Sequence, residues 1–322
     1  MFDHLDFLRP RADPTPPVHR ARVFLDTRDL INCFEKGRPI GADELGVTFR
    51  RAQARLIVTV TTMSELFPGA GVPTPEDVER GIALARHLDR IPHGFIRNST
   101  IPAQELRAAF RAWQQDNRKE VDNVDPFVNR FYQTTWEPAP GTTDLLLDTN
   151  VTRSLDRMSV WDQVRALAAY PESLRWDNKY AKRAAEALEE DRAAYGSKRG
   201  TREAREGAVK RHLIQAGMAE PRGGLPKFVR WVHENPEVCP GWRVGWDAWE
   251  EYRSNVTSPL DPGDLRDFSH IAAIPYVTHF TTDAKWRDLL DRAWKRRVKD
   301  GLRAPFCERV FSDLGAVLKS LT

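Results

Sequence analysis

Two apolar runs in the first part of the chain predict neighbouring buried strands. One is Val23-Phe24-Leu25, and the other is the β-branched run over 55–61, which contains few charges. Short runs of this kind are typical of strands that are covered on both faces of a parallel sheet. Each run leads into a helical pattern, over 29–35 in the first case and from the expected cap Thr61 or Thr62 in the second. This part of the chain is therefore predicted to be α/β.

The last part of the chain shows the same alternation of patterns. Asp261-Pro262 predicts a helix start, because Asp caps helices well and Pro suits the first helical position, and Ile274-Pro275 predicts its end. A strand over 276–281, a helix over 284–299 and a final strand over 306–311 are expected to follow. An amphipathic helix is also predicted over 75–89, within the first part.

The stretch between these two parts has a different composition. Residues 100–250 are rich in Ala, Glu, Arg and Trp, follow the helical period and contain few strand patterns. We therefore predict one α/β domain, made of 21–99 and 251–322, that carries a long helical insertion over 100–250. Residues 1–20 are predicted to be a Pro-rich N-terminal arm.

Composition and charge narrow the function classes. The chain has 322 residues, 41% of them hydrophobic, and ten tryptophans, which is typical of a folded protein. Its three cysteines are odd in number and lack CxxC spacing, which argues against a disulfide framework and a zinc site. A net charge of +3 excludes a histone-like polycation, although basic clusters at 198–202 and 295–299 suit phosphates. No signal peptide or membrane span is evident, so a cytoplasmic location is expected.

Four acidic residues are the candidate site. Asp26 and Asp283 each follow a predicted strand, Glu65 lies in the helix after the second strand, and Asp267 lies in the predicted helix that precedes the last strands. Carboxylates that converge at the carboxyl edge of a parallel sheet repel one another unless a divalent cation lies between them. The pattern therefore predicts a site for Mg²⁺ or Mn²⁺ and hydrolysis of phosphodiester bonds.

The helix that begins at Pro262 separates polar and apolar residues. Asp264, Asp267 and His270 lie at i, i+3 and i+6 and share one face, while Leu265 and Phe268 belong to the opposite, apolar face. The polar face is expected to point to the strand ends.

These motifs, taken in order, resemble those of the PIN-domain (PIN-like) nucleases. The resemblance covers about 21–95 and 258–320, and it is carried by Phe24-Leu25-Asp26-Thr27, by Val58-Thr59-Val60-Thr61 with Thr62-Met63-Ser64-Glu65-Leu66, by Asp264-Leu265-Arg266-Asp267-Phe268-Ser269-His270, and by Ile274-Pro275-Tyr276-Val277-Thr278-His279-Phe280-Thr281-Thr282-Asp283.

The resemblance implies a fold, an activity and a set of site residues. The fold is a three-layer α/β/α sandwich with a central, mainly parallel sheet, and the activity is metal-dependent hydrolysis of RNA, or less commonly of DNA. A second copy of the chain or an antitoxin-like protein is a further expected partner. The implied metal-binding acids are Asp26, Glu65, Asp264, Asp267 and Asp283, with Thr27, Thr282 and His270 in support.

Basic residues near the acids are candidates for binding phosphate. They are Arg28, Lys285 and Arg287. Arg28 departs from the family pattern, which often has Asn or Ser there, and this favours an alternative in which the chain is a catalytically inactive PIN-like module that binds nucleic acid or protein. A haloacid-type hydrolase is disfavoured, because Arg28 removes the Asp-x-Asp motif.

Several alternatives remain open at this stage. Asp26 and Asp283 each precede a helix, so each has a simpler role as a helix cap. The segment 145–151 offers a second opening motif, and Glu105 is a rival acid for the pocket. The tryptophans of the insertion either pack helices together or stack on bases.

Overall fold

The computed structural model describes most of the two predicted α/β parts and a portion of the middle. The described residues are 21–34, 40–66, 74–97, 100–115, 121–128, 202–215, 217–218, 224–255, 262–304 and 306–322, together with 186, 189, 190 and 193. The predicted N-terminal arm over 1–20, the second opening motif at 145–151 and residues 198–201 of the basic cluster at 198–202 lie outside these ranges.

The described strands form one six-stranded sheet. They are β1 Ala21–Phe24, β2 Ala54–Val58, β3 His93–Ile96, β4 Phe127–Val128, β5 His279–Thr281 and β6 Val310–Phe311. The strand order is β4-β3-β2-β1-β5-β6, and each pair is parallel except β3 with β4. The prediction of an α/β fold with a mainly parallel sheet is confirmed.

Helices account for most of the remaining described residues. They are α1 Thr27–Phe34, α2 Ala42–Arg51, α3 Val60–Glu65, α4 Pro75–Ala85, α5 Ile101–Gln114, α6 Arg202–Gln215, α7 Leu225–Glu234, α8 Pro240–Asn255, α9 Pro262–Ile271, α10 Ala284–Lys299 and α11 Leu314–Leu321. A 3-10 turn over 86–90 extends α4 and completes the helix predicted over 75–89.

Apolar clusters cover both faces of the sheet. In β2, Leu56 and Val58 belong to a cluster with residues of α1, α2, α4 and α11, whereas Ile57 belongs to a second cluster with residues of α8, α9 and α10. Side chains alternate between the two faces of a strand, so successive residues enter opposite clusters. The central strands β1 and β2 are therefore buried on both sides, as their apolar runs predict.

A third cluster lies among the helices of the middle segment. It joins α5, α6, α7 and the start of α8 around residues such as Phe110, Leu213 and Phe228. The division of the chain into an α/β domain and an insertion over 100–250 remains a prediction. Within the described residues, no helix is long and apolar enough to cross a membrane.

Three local expectations differ from the structure. The cap of α3 is Thr59, whose hydroxyl accepts a hydrogen bond from the Thr62 backbone N–H at 2.9 Å, so neither Thr61 nor Thr62 has that role. The strand predicted over 276–281 begins only at His279, because Pro275 lies in a 3-10 turn. The final strand is shortened in the same way by a 3-10 turn over 307–309.

Candidate functional site

Two of the predicted acids follow adjacent strands at the carboxyl edge of the sheet. Val23 of β1 pairs with His279 of β5 in parallel register, so Asp26 and Asp283 come two residues after neighbouring strand ends. The backbone N–H of Asp26 donates to the Thr281 hydroxyl at 2.7 Å, which ties the two ends together. In open α/β sheets, this edge is where ligands bind.

Both of these acids cap helices. Asp26 Oδ1 accepts a hydrogen bond from the Arg28 backbone N–H at 2.8 Å, at the start of α1. Asp283 is the N-cap of α10, and its Oδ1 accepts from the Trp286 backbone N–H at 2.7 Å. Each cap uses only one oxygen of the carboxylate, so capping is compatible with binding a ligand through the other oxygen.

Glu65, the last residue of α3, is held by two side chains from other elements. The Thr27 hydroxyl donates a short hydrogen bond to Glu65 Oε2, and His270 Nε2 lies 3.9 Å from the same oxygen. Burial acts to raise the pKa of Glu65, but the attraction of the nearby His270 imidazole, the hydrogen bond from Thr27 and the charge of Arg266 outweigh it and lower this pKa. Glu65 is therefore ionised and fixed in place.

Asp267 is the centre of the acidic group. Burial raises its pKa most, and the negative charges of Asp283, Asp26, Glu65 and Asp264 raise it further, to about 8. A carboxyl with such a pKa is mainly protonated at neutral pH, since its ordinary value is 3.8. The fold thus places four other acids close enough to Asp267 to disfavour its negative charge.

Asp26 shows the same effect to a smaller extent. Burial raises its pKa, as does the charge of Glu65, while the hydrogen bond from the Arg28 backbone and the Arg28 guanidinium act to lower it. The side chain of Arg28 is exposed. The positive charge of Arg28 therefore partly offsets the effects that raise the pKa of Asp26.

Asp29 is a site residue that the sequence did not single out. Burial raises its pKa, and the charge of Asp26 raises it as well, while a hydrogen bond with the Thr281 side chain lowers it. Thr281 is thus the threonine that connects the acids, whereas Thr282 is simply buried. The only sequence signal for Asp29 is its position one helical turn after Asp26.

Asp264 is bound by other side chains and lies beside the acidic group. It is buried, its Oδ2 accepts a hydrogen bond from the Tyr252 hydroxyl at 2.7 Å, and its Oδ1 pairs with the Lys285 ammonium in a short contact. The Lys285 ammonium also lies 4.9 Å from the centre of the Tyr252 ring. Because both oxygens are engaged, Asp264 positions Lys285 and has less capacity to bind a metal ion than its neighbours.

His270 is packed as a structural residue. It is buried, its ring lies 4.8 Å from that of Phe24, and its Nδ1 lies 3.4 Å from the Thr59 hydroxyl. Its Nε2 is buried without a hydrogen-bond partner among the described residues and faces Glu65 at 3.9 Å, which is too long for a hydrogen bond.

Glu105 is not part of this group. It is fully buried and accepts hydrogen bonds from the backbone N–H groups of Gly241 and Trp242, both at 2.8 Å, and a short one from the Tyr276 hydroxyl. Burial raises its pKa to about 7 despite these hydrogen bonds. Glu105, which the sequence left open as a rival for the acidic pocket, therefore anchors the start of α8.

The acidic group has the chemistry of a divalent cation site but not the geometry of a preformed one. Among the described residues, no set of three or more His, Cys, Asp or Glu side chains is arranged closely enough to hold a metal ion. The carboxyl groups nevertheless supply oxygen ligands, which Mg²⁺ and Mn²⁺ prefer. The neighbouring acids repel a negative charge on Asp267, and a bound cation would remove this repulsion. The residues therefore fit such an ion.

The basic residues near the acids differ in their surroundings. Lys285 is held by Asp264 and Tyr252, Arg28 is exposed beside Asp26, and Arg287 is partly exposed on α10.

Comparison of the chain with protein-family models, with curated proteins and with solved structures found no match.

Proposed function

We propose that the protein is a divalent-metal-dependent nuclease that hydrolyses phosphodiester bonds of nucleic acid, with RNA rather than DNA as its substrate. One observation carries the proposal: Asp267 lies among four other carboxyl groups at the carboxyl edge of the sheet, and its pKa is raised to about 8. Such a concentration of negative charge opposes folding, so its presence favours a functional role.

The proposal assigns Mg²⁺ or Mn²⁺ to Asp26, Glu65, Asp267 and Asp283. When bound, such a cation activates the attacking water and stabilises charge on the leaving oxygen. Thr27 and His270 hold Glu65 toward this position, while the caps at α1 and α10 hold Asp26 and Asp283. These contacts fix three of the four acids, Glu65, Asp26 and Asp283, before any ligand arrives, which lowers the cost of binding.

The phosphate-binding role falls on the basic side chains around the acids. Lys285 lies next to Asp264 at the edge of the group, and the guanidinium of Arg28 acts on Asp26. Cations at these positions complement the negative charge of a phosphodiester without competing for the acidic oxygens that bind the metal ion. Arg287 lies two residues after Lys285, in the first turn of α10.

The resemblance to PIN-domain nucleases supports the same function. It accounts for the order of Asp26, Glu65, Asp267 and Asp283, and its expected mainly parallel sheet agrees with the strand order. The preference for RNA over DNA rests on this resemblance.

A cleavage assay tests the proposal. End-labelled single-stranded RNA is incubated with the full chain and Mg²⁺ or Mn²⁺, beside Asp26→Asn, Asp267→Asn and Asp283→Asn. We expect cleavage that chelation abolishes and that each variant lowers about a hundredfold or more. Asp288→Asn, at an exposed residue of α10, is the matched control and should retain wild-type activity. Cleavage that survives chelation or all three substitutions would contradict the proposal.

A second candidate function is a catalytically inactive module that binds nucleic acid or protein. It is favoured by Arg28 and by the lack of a preformed metal geometry among the described residues. In the same assay, this candidate predicts RNA binding without cleavage in wild type and variants alike.

A further inference from the structure

Four aromatic side chains from three helices form a continuous cluster beside the acidic group. Trp249 and Tyr252 of α8 stack with their ring centres 5.9 Å apart, and Tyr252 stacks on Trp286 of α10 at 5.3 Å. Phe268 of α9 closes the cluster, since its ring lies 5.3 Å from Trp249 and 5.5 Å from Trp286. The cluster therefore joins α8 to the helices that carry Asp267 and Asp283.

The four rings differ in exposure. Tyr252 and Trp286 are fully buried, whereas Trp249 and Phe268 are partly exposed at the outer side of the cluster. Burial of the inner pair is sufficient to pack the three helices together. Trp249 and Phe268 pack against the second apolar cluster with part of their surface and keep the rest in contact with solvent.

The cluster is connected to the acidic group by direct contacts. The Tyr252 hydroxyl donates to Asp264 Oδ2 at 2.7 Å, and the Tyr252 ring stacks on that of Trp249. Lys285 contacts both Asp264 and the Tyr252 ring. An aromatic surface, a cation and the acidic group therefore lie side by side.

We infer that Trp249 and Phe268 form a stacking surface for an unpaired base of the substrate, next to the phosphate that is cleaved. The inference rests on the proposed nuclease function and adds to it a contact with one base of the substrate beside the cleaved bond. Aromatic rings bind bases through their faces, and in a duplex those faces are covered by neighbouring base pairs. Lys285 would contact the backbone phosphate adjacent to the stacked base.

Binding measured without catalysis tests this inference. We would measure fluorescence anisotropy of three labelled RNAs of about 12 nucleotides in the presence of a chelator: oligoadenylate, an abasic strand of equal length and a duplex. Wild type is expected to bind oligoadenylate about tenfold or more tightly than the abasic strand, because stacking on an aromatic side chain adds affinity for each base. Binding to the duplex should resemble binding to the abasic strand.

The substitutions separate stacking from packing. Trp249→Ala should bind oligoadenylate as weakly as the abasic strand, while Trp249→Phe should retain most of the preference. Phe268→Leu keeps an apolar side chain and removes the ring, so it provides a second test if Trp249→Ala does not fold. Trp231→Ala is the matched control, since Trp231 is also partly exposed but packs on Trp113 and Phe228 in the other helical cluster.

The outcomes distinguish this inference from the proposed function. Equal affinity of wild type for oligoadenylate and abasic RNA would overturn the inference even if the protein cleaves RNA. A base preference that persists in Trp249→Ala, or in Phe268→Leu where the first variant is unfolded, would also overturn it. A base preference lost in these variants, in a protein that cleaves no RNA, would support the stacking surface and contradict only the nuclease.

Discussion

Replacement of Asp267 by Asn is expected to stabilise the metal-free protein above neutral pH. Burial and four neighbouring acids raise the pKa of Asp267 from 3.8 to about 8 in the folded state. The folded state therefore favours the protonated carboxyl. The resulting penalty is absent below about pH 4, grows as pH rises and is complete above about pH 8. Asn keeps the size and polarity of the side chain and removes the penalty.

The magnitude follows from this shift. Each pKa unit corresponds to about 1.4 kcal/mol, so a pKa of about 8 in place of 3.8 sets a ceiling of about 6 kcal/mol. Asp267 retains some exposure, and solvent screens part of this repulsion. We therefore expect a gain of about 1 to 3 kcal/mol, which corresponds to a rise in Tm of about 2 to 10 °C.

Urea unfolding in the presence of a chelator, at about pH 5 and about pH 9, measures the effect. Wild type should lose more stability between the two pH values than Asp267→Asn does. Asp288→Asn, at a side chain that is 54% exposed, should behave as wild type. A variant that is less stable than wild type at about pH 9, or that keeps the full pH dependence, would refute the reasoning.

Three further predictions test individual contacts. Asp283→Asn should lose RNA cleavage but keep the free energy of unfolding of wild type, because Asn also caps helices. If Asp283→Asn and Asp283→Ala lose stability and cleavage to the same extent, the negative charge of Asp283 has no role of its own. Thr27→Val should weaken Mn²⁺ binding about tenfold in calorimetry while Thr27→Ser retains it, because Thr27 holds Glu65 through its hydroxyl group; unchanged affinity in Thr27→Val would contradict this. Gly241→Ala should cost about 1 to 3 kcal/mol in urea unfolding, because its Cβ would lie 2.6 Å from Ile101 Cγ2 and 2.7 Å from the Ala272 carbonyl oxygen. Gly245→Ala, in the same helix with nothing within 4 Å, should gain stability, and a loss in both variants would disprove the steric argument.

The local pattern of apolar and capping residues is sufficient to predict the helices and strands that position the acidic residues. The helix predicted over 284–299 is α10 with the same bounds, because a capping Asp and a long amphipathic pattern define it. The strand β3, His93–Ile96, was not predicted, since Gly94 and His93 interrupt any apolar run. It forms because β2 pairs with it, a contact that its own sequence does not specify.

Prediction of the site has the same limit, because contacts between residues far apart in the chain are not visible in the local sequence. Positions after strands identified Asp26 and Asp283, since the end of a parallel strand is visible in sequence. The contacts of Glu105 depend on Gly241 and Trp242, which are far away in the chain, so its role at the start of α8 could not be read locally. Tyr252 was missed for a similar reason: only folding brings its hydroxyl to Asp264.

The most direct test of the central claim is the position of Mn²⁺ in crystals of the full chain. Crystals soaked with Mn²⁺ are measured at the manganese absorption edge, where anomalous density locates the ion. The account predicts a peak in contact with oxygens of Asp26, Glu65, Asp267 and Asp283. Manganese bound elsewhere, with Asp267 hydrogen-bonded to a neighbouring carboxylate in its protonated form, would contradict it.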